Sequence, residues 1–189
     1  MRVCLDTRAH AGSIMAMKFA CIGWGSLCWD PRELPVGDWR KDGPILPLEF
    51  ARQSLDGRIT LVITEGGTEL QTLWAELSAG SLDEAANLLR DREGCNVRHI
   101  GRTGAAFPFV ERVEAWAKDR RLGGAVWTAL PPKWNEANGS APSLAELKSY
   151  LRDLPADVRR RAEEYIVKAP AQIATGYRVE LLAAITSGG

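Results

Sequence analysis

Two short stretches hold the residues whose types and spacing could do chemistry. The first is Gly23-Trp24-Gly25-Ser26, a glycine-punctuated turn entered directly from the apolar run Phe19-Ala20-Cys21-Ile22. Glycines free to take positive φ let successive amides point into a cavity, and such a nest binds an anion or an oxyanion. The same residues also suit an ordinary turn, and a short glycine pattern alone does not choose between the two. Two other readings fail outright. Gly23-x-Gly25-x-x-Cys28 lacks the third glycine of a dinucleotide fingerprint, and Trp29-Asp30-Pro31 falls where the phosphate-binding helix would run. Ser26 does not sit in the G-x-S-x-G of a hydrolase elbow. The second stretch is Leu89-Arg90-Asp91-Arg92-Glu93-Gly94, whose alternating charges at a helix end read, on composition alone, as solvated surface, Arg90 and Arg92 included. Cys95 and His99 offer a thiol and a base at a spacing with no mechanism attached. Trp24, Trp29, Trp74 and Trp127 read first as packing aromatics.

The elements that must position these residues change character along the chain. Phe19 to Ile22 reads as a buried strand. Pro31, Pro35, Pro44 and Pro47 then exclude a helix, and an extended segment runs from near Leu48 through Ser54. Ile59 to Thr64 and Leu70 to Leu77 are further strand-like runs, separated by Glu65-Gly66-Gly67, which reads as a hairpin turn. At Ser81 the period shifts to that of a helix. Ser81-Leu82-Asp83-Glu84 is a capping box, Leu82, Ala85, Ala86 and Leu89 share one face, and the helix should end near Arg92 with Gly94 as its left-handed cap. Pro108 opens a second helix that stops at Gly123-Gly124, and Ala125 to Leu130 reads as a strand. Ser143-Leu144-Ala145-Glu146 starts a third helix and Pro155 a fourth, up to Ala169. Asn135 to Pro142 looks like a linker. Strands first and helices later predict an α+β domain.

With 189 residues, 46% hydrophobic and 25% charged, the chain has the length and composition of one globular domain. Lys+Arg and Asp+Glu both total 24, and no basic block could neutralise a run of phosphates, so nucleic acid is excluded as an expected partner. Apolar runs are too short to span a bilayer and the N-terminus lacks a signal-like apolar core, so a cytoplasmic location is expected. Four cysteines without a C-x-x-C pair, and only His10 and His99 beside them, predict free thiols and no metal site. Residues 1–16 are polar and unperiodic, and we expect them to be a disordered or non-native extension before a single domain over residues 17–189 that starts naturally at Met17.

An aromatic residue followed by Gly-Ser-Leu, directly after a first strand, resembles the signature loop of the gamma-glutamylcyclotransferase family. Gly25, Ser26, Leu27, Trp29 and Pro31 are similar to its glutathione-degrading branch, as are Phe50, Ser54 and the nearby Arg58. The family's acidic landmark follows a helix in a Leu-Asp-x-Arg-Glu-Gly-like stretch, which 89–94 resembles. The likeness covers roughly residues 19–94, about the first half of the domain. It implies a small mixed β-barrel flanked by helices, Glu93 as the catalytic acid-base, and substrate binding by Trp24, Gly25, Ser26, Leu27 and Ser54. It implies no cofactor and no metal. Trp24 stands where the family usually has Tyr, removing a phenolic hydroxyl, and residues 96–122 carry a polar stretch and an extra helix where the family runs into another strand.

The implied reaction closes a gamma-glutamyl amide or peptide onto itself. The alpha-amine and gamma-carbonyl belong to one molecule, so a five-membered ring forms once the substrate is held folded, and orientation of this kind is worth up to roughly 7 to 11 kcal/mol. One carboxylate with a pKa near the working pH can take the amine's proton and return it to the leaving amine. Burial of Glu93 against Trp24, Trp29 or Trp74 would raise its pKa. The amides around Gly25 to Leu27 would anchor the glutamyl group or stabilise the oxyanion. Two other functions remain open to the same residues: a binding module that recognises a glutamyl-like or anionic metabolite without turnover, and another acyl-transfer or amide-cleaving reaction in the same pocket.

Overall fold

A computed structural model describes residues 17–187, so the extension expected over residues 1–16 lies outside the described residues. The first apolar run becomes strand β1 (Phe19–Gly23), buried along its whole length. Its side chains alternate between two cores: Ala20 and Ile22 join one, Phe19 and Cys21 the other. A strand with apolar residues on both faces belongs in the middle of a sheet covered on both sides. There it sits. After it come β2 (Ile45–Gln53), β3 (Ile59–Ile63), β4 (Thr68–Gln71) and β5 (Leu73–Leu77), then helix α1 (Leu82–Glu93), β6 (Ile100–Arg102) and α2 (Val110–Asp119). The remainder is β7 (Gly124–Thr128), the two-residue strands β8 (Lys133–Trp134) and β9 (Ala137–Asn138), and helices α3 (Leu144–Asp153), α4 (Ala156–Lys168) and α5 (Gly176–Ser187).

The strands form two mixed sheets and not one closed barrel, which corrects the expected barrel. One sheet has the order β5-β1-β7-β6, with β1 antiparallel to β5 and parallel to β7. The other has the order β3-β2-β8-β9, with β4 also on β2. The physical reason is a bend at Thr72 inside the run expected to be one strand. Thr72 is buried, and its hydroxyl and amide both bond to Pro44 O, at 2.8 and 3.1 Å. This hands β4 to one sheet and β5 to the other. The expected hairpin at Glu65-Gly66-Gly67 is also corrected. Leu48 faces Ile63 of β3 and Thr68 of β4, so both strands run along β2 and residues 64–67 are an excursion between them.

Helix signals fare well. Ser81 Oγ accepts from Glu84 N at 3.1 Å, while the Glu84 carboxylate reaches Gly80 N (2.8 Å) in place of its own cap residue. Ser143 and Glu146 form the full reciprocal box. α1 lays Ala85, Ala86 and Leu89 against Phe19, Cys21, Leu77 and Val126 on one face of the first sheet. On the opposite face, β2, β3 and helices α2 to α5 bury Phe50, Leu61, Trp116, Leu147, Ile166 and Leu181 around Ile22 and Trp127. The last turn of α1 and the exit of β1 are thereby fixed relative to each other.

Candidate active site

β1 and β7 run parallel and end side by side, and a cleft of about 690 Å³ opens beyond their C-terminal ends. That size suits a small metabolite or short peptide. Every residue anticipated for the site lines it: Trp24, Gly25, Ser26, Leu27, Ser54 and Glu93. Glu93 is delivered by the stop of α1, where Gly94 adopts φ 61° and ψ 33° and its N–H bonds to Arg90 O. The Glu93 side chain is only 16% exposed. Burial pushes its carboxyl above the ordinary carboxylate range, while the charges of Arg92 and Arg32 and hydrogen bonds from Arg92 and Thr128 pull the other way. Trp24 and Trp29 share the cleft; Trp74 does not, since it packs edge-on against Trp116 and donates to Asp42 at 2.8 Å.

The loop is built differently from its sequence-based account. Neither Gly23 nor Gly25 takes a positive φ; Gly25 sits at φ −123°, ψ −144°. Glycine is required for close approach instead. A Cβ on Gly23 would lie 2.7 Å from the Trp39 ring and 3.0 Å from Cys28 Sγ, and one on Gly25 would collide with the Tyr165 hydroxyl. A short 3-10 turn follows over Ser26–Cys28. The amides of Cys28, Trp29 and Asp30 bond back to Gly25 O (2.9 Å) and Ser26 O (3.2 and 2.8 Å). Those of Gly25, Ser26 and Leu27 have no acceptor among the described residues. The site therefore holds three consecutive open donors and one largely shielded acid. Comparison with known proteins finds no family model, curated protein or solved structure that matches this chain.

Three further residues complete the site. Tyr165, on the inner face of α4, is buried, and burial raises its phenol above its ordinary range, so the hydroxyl stays protonated. It faces Gly25, and its oxygen accepts from Leu61 N at 3.4 Å. A phenolic hydroxyl thus reaches the loop from the C-terminal helices. The only sequence signal was a tyrosine on an apolar helix face, beside Ala162 and Ile166. Arg92, expected at the surface, has a side chain 6% exposed and bonded to Glu93 Oε1 at 2.9 Å. Arg52 lines the cleft because β2 bulges at Ala51, which shifts pairing from Phe50–Leu61 to Arg52–Thr60. Its Nη1 donates to Pro131 O at 2.7 Å, and it has no carboxylate partner among the described residues.

Ser54 lines the cleft with its hydroxyl already engaged in the β2–β3 turn, 2.5 Å from Asp56 Oδ1 and 2.9 Å from Arg58 O. These bonds make it an organiser of that turn at the edge of the cleft. Phe50 is fully buried and packs edge-on to Tyr165. Cys95 lines the cleft, whereas His99 stands outside it and accepts from Arg98 Nε at 3.3 Å. Cys21, Cys28 and Cys95 are free thiols. Among the described residues no group of three or more His, Cys, Asp and Glu side chains is placed to hold a metal ion, and no helix is long and apolar enough to cross a membrane.

Proposed function

We propose that this cleft cyclises a gamma-glutamyl amide or peptide to 5-oxoproline and releases the amine or peptide. The observation that carries the reading is the shielded Glu93 carboxylate sharing a cleft with the open amides of Gly25, Ser26 and Leu27. The alpha-amine nitrogen attacks the gamma-carbonyl carbon, and Glu93 takes the proton that the nitrogen sheds. Negative charge develops on the carbonyl oxygen, where the loop amides and the neutral Tyr165 hydroxyl supply donors. The bond to the leaving nitrogen then breaks as Glu93 returns the proton to it. No water is consumed, and the acid ends as it began. Arg52, which has no carboxylate partner among the described residues, supports an anionic group on the substrate, as a peptide's own carboxylate would provide.

The test is 5-oxoproline release from glutathione, gamma-glutamyl amino acids and gamma-glutamylamines. Glu93→Gln is expected to lower turnover by roughly 10²- to 10⁴-fold, the usual worth of a positioned acid-base. The pH profile carries a sign. Because burial lifts the Glu93 pKa, activity should fall with decreasing pH through a limb lying above the ordinary carboxylate value of about 4.3. Unchanged release from Glu93→Gln would remove this mechanism, and thermal stabilisation by a gamma-glutamyl compound without product would favour a binding module instead.

A further inference from the structure

Arg92 is an improbable residue to find inside a cleft wall. Its neighbour Arg90 behaves as a charge at a helix end should, exposed and paired with Asp91 and Asn87. Arg92 turns inward, where its guanidinium spans two chain segments that the fold brings together. Nη1 donates to Glu93 Oε1 at 2.9 Å. Nη2 donates to Asp30 O at 2.5 Å and lies 3.4 Å from Ser26 Oγ. Its own carbonyl accepts from Arg32 Nη1 at 3.3 Å. Its Nε is buried without a partner among the described residues. A buried ion pair with an unsatisfied donor gains little stability over an apolar pair, because desolvation cancels most of the attraction. What this geometry supplies is a planar fork that fixes one carboxylate oxygen with respect to the loop.

We propose that Arg92 is a positioning residue for the reaction: it clamps the Glu93 carboxylate to the Ser26–Asp30 loop and tunes how readily that acid takes a proton. The proposal rests on the reading of Glu93 as proton carrier. The orientation part follows from rigid bonding at both ends. Glu93 is the last residue of a helix, followed by a glycine, a place where side-chain direction would otherwise be loosely held. The tuning part follows from charge. The groups that face Glu93 are Arg92 on its own helix, Arg32 from the loop after β1, Thr128 from β7, Cys21 from β1, Cys95 beyond Gly94 and Tyr165 from α4. Among the described residues only the two arginines favour its ionised form by charge, and of the two only Arg92 also bonds to it, with Thr128 as a neutral second donor. Without Arg92, burial would be less opposed, and Glu93 would stay protonated to still higher pH.

The experiment compares the full chain with Arg92→Met and Arg92→Lys. One readout is the NMR titration of the Glu93 carboxyl in ¹³C-labelled protein, assigned with Glu93→Gln. The other is 5-oxoproline release against pH, with kcat and KM separated. In Arg92→Met, Glu93 should titrate at higher pH than in the parent chain, and the acid limb should move the same way. kcat should fall about tenfold to a hundredfold, the range for a misplaced catalytic group, with KM nearly unchanged. Arg92→Lys should return the titration towards the parent value, because the charge is restored, but recover only part of kcat, because a single ammonium cannot hold both partners. Unchanged titration in a folded Arg92→Met overturns the proposal, as does parental kcat and pH profile in either variant. Should Arg92→Met fail to fold, Arg92→Lys decides through the kcat it retains. If the parent chain releases no 5-oxoproline, the cyclisation reading falls, while the titration still decides whether Arg92 governs Glu93.

Discussion

Gly25 holds the tightest steric constraint in the loop, since any side chain there would meet the Tyr165 hydroxyl. Gly25→Ala is expected to cost about 1 to 3 kcal/mol of stability from overpacking, measured by urea unfolding, and to depress 5-oxoproline release. Adding Tyr165→Phe should recover much of the stability by removing the oxygen, but not the rate, because the donor goes with it. The identity of this residue was readable from sequence, but its reason was not. A glycine required for backbone conformation and one required for space look alike until the opposing side chain, here from 140 positions downstream, is in view. Arg92 shows the converse. Alternating charges at a helix end hide which one turns inward, because that depends on the loop against which the helix stops.

The C-terminal helices place Tyr165, and one buried side chain ties α5 to the end of α4. Arg178 of α5 is buried, and its guanidinium donates to the carbonyls of Ile166, Val167 and Ala169 at the end of α4, and of Pro170 and Ile173 beyond it. It satisfies the acceptors that a helix end leaves open. Arg178→Ala should destabilise the chain by about 3 kcal/mol in denaturant titrations, since buried carbonyls lose charged donors. Arg178→Lys should restore little, because an ammonium cannot fan out over five acceptors. Elements with strong end signals were legible beforehand: the Ser81 and Ser143 caps, Gly94, and Pro155. α5 was not, because it lacks periodic contrast and its cap, Thr175 Oγ1 accepting from Arg178 N at 3.1 Å, has no Glu or Gln at the third helical position to complete a capping box, and β6 is only three residues long. The stretch resembling a linker holds the β8–β9 hairpin, turned by Asn135 and Glu136 at φ 47° and 65°. Asn135 suits such an angle, but Glu136 stands where a turn of this kind usually has glycine, so the pair carries only half of the usual hairpin signal.

At the scale of the molecule, one core runs from Ile22 near the start to Leu181 in the last helix, and the cleft draws its walls from both ends. Tryptophan fluorescence and far-UV circular dichroism should therefore follow one unfolding transition, and a separate loss of the α3–α5 signal would contradict a shared core. The α+β class was legible from the change of period at Ser81. The sheet arrangement was not, because one buried threonine, Thr72, decides which sheet each side of it joins. That bend and the excursion at residues 64–67 lie a few positions apart on the same run, yet they respond oppositely to a change in chain length. An extra residue beside Gly66, at φ 75° and with open space where a Cβ would stand, enlarges a solvent-facing bulge and leaves both registers intact. The same insertion at Thr72 would slide β5 by one position and turn Leu73, Ala75 and Leu77 out of the interior. Length variation among descendants of this chain is thus channelled to one side of β4 and barred from the other.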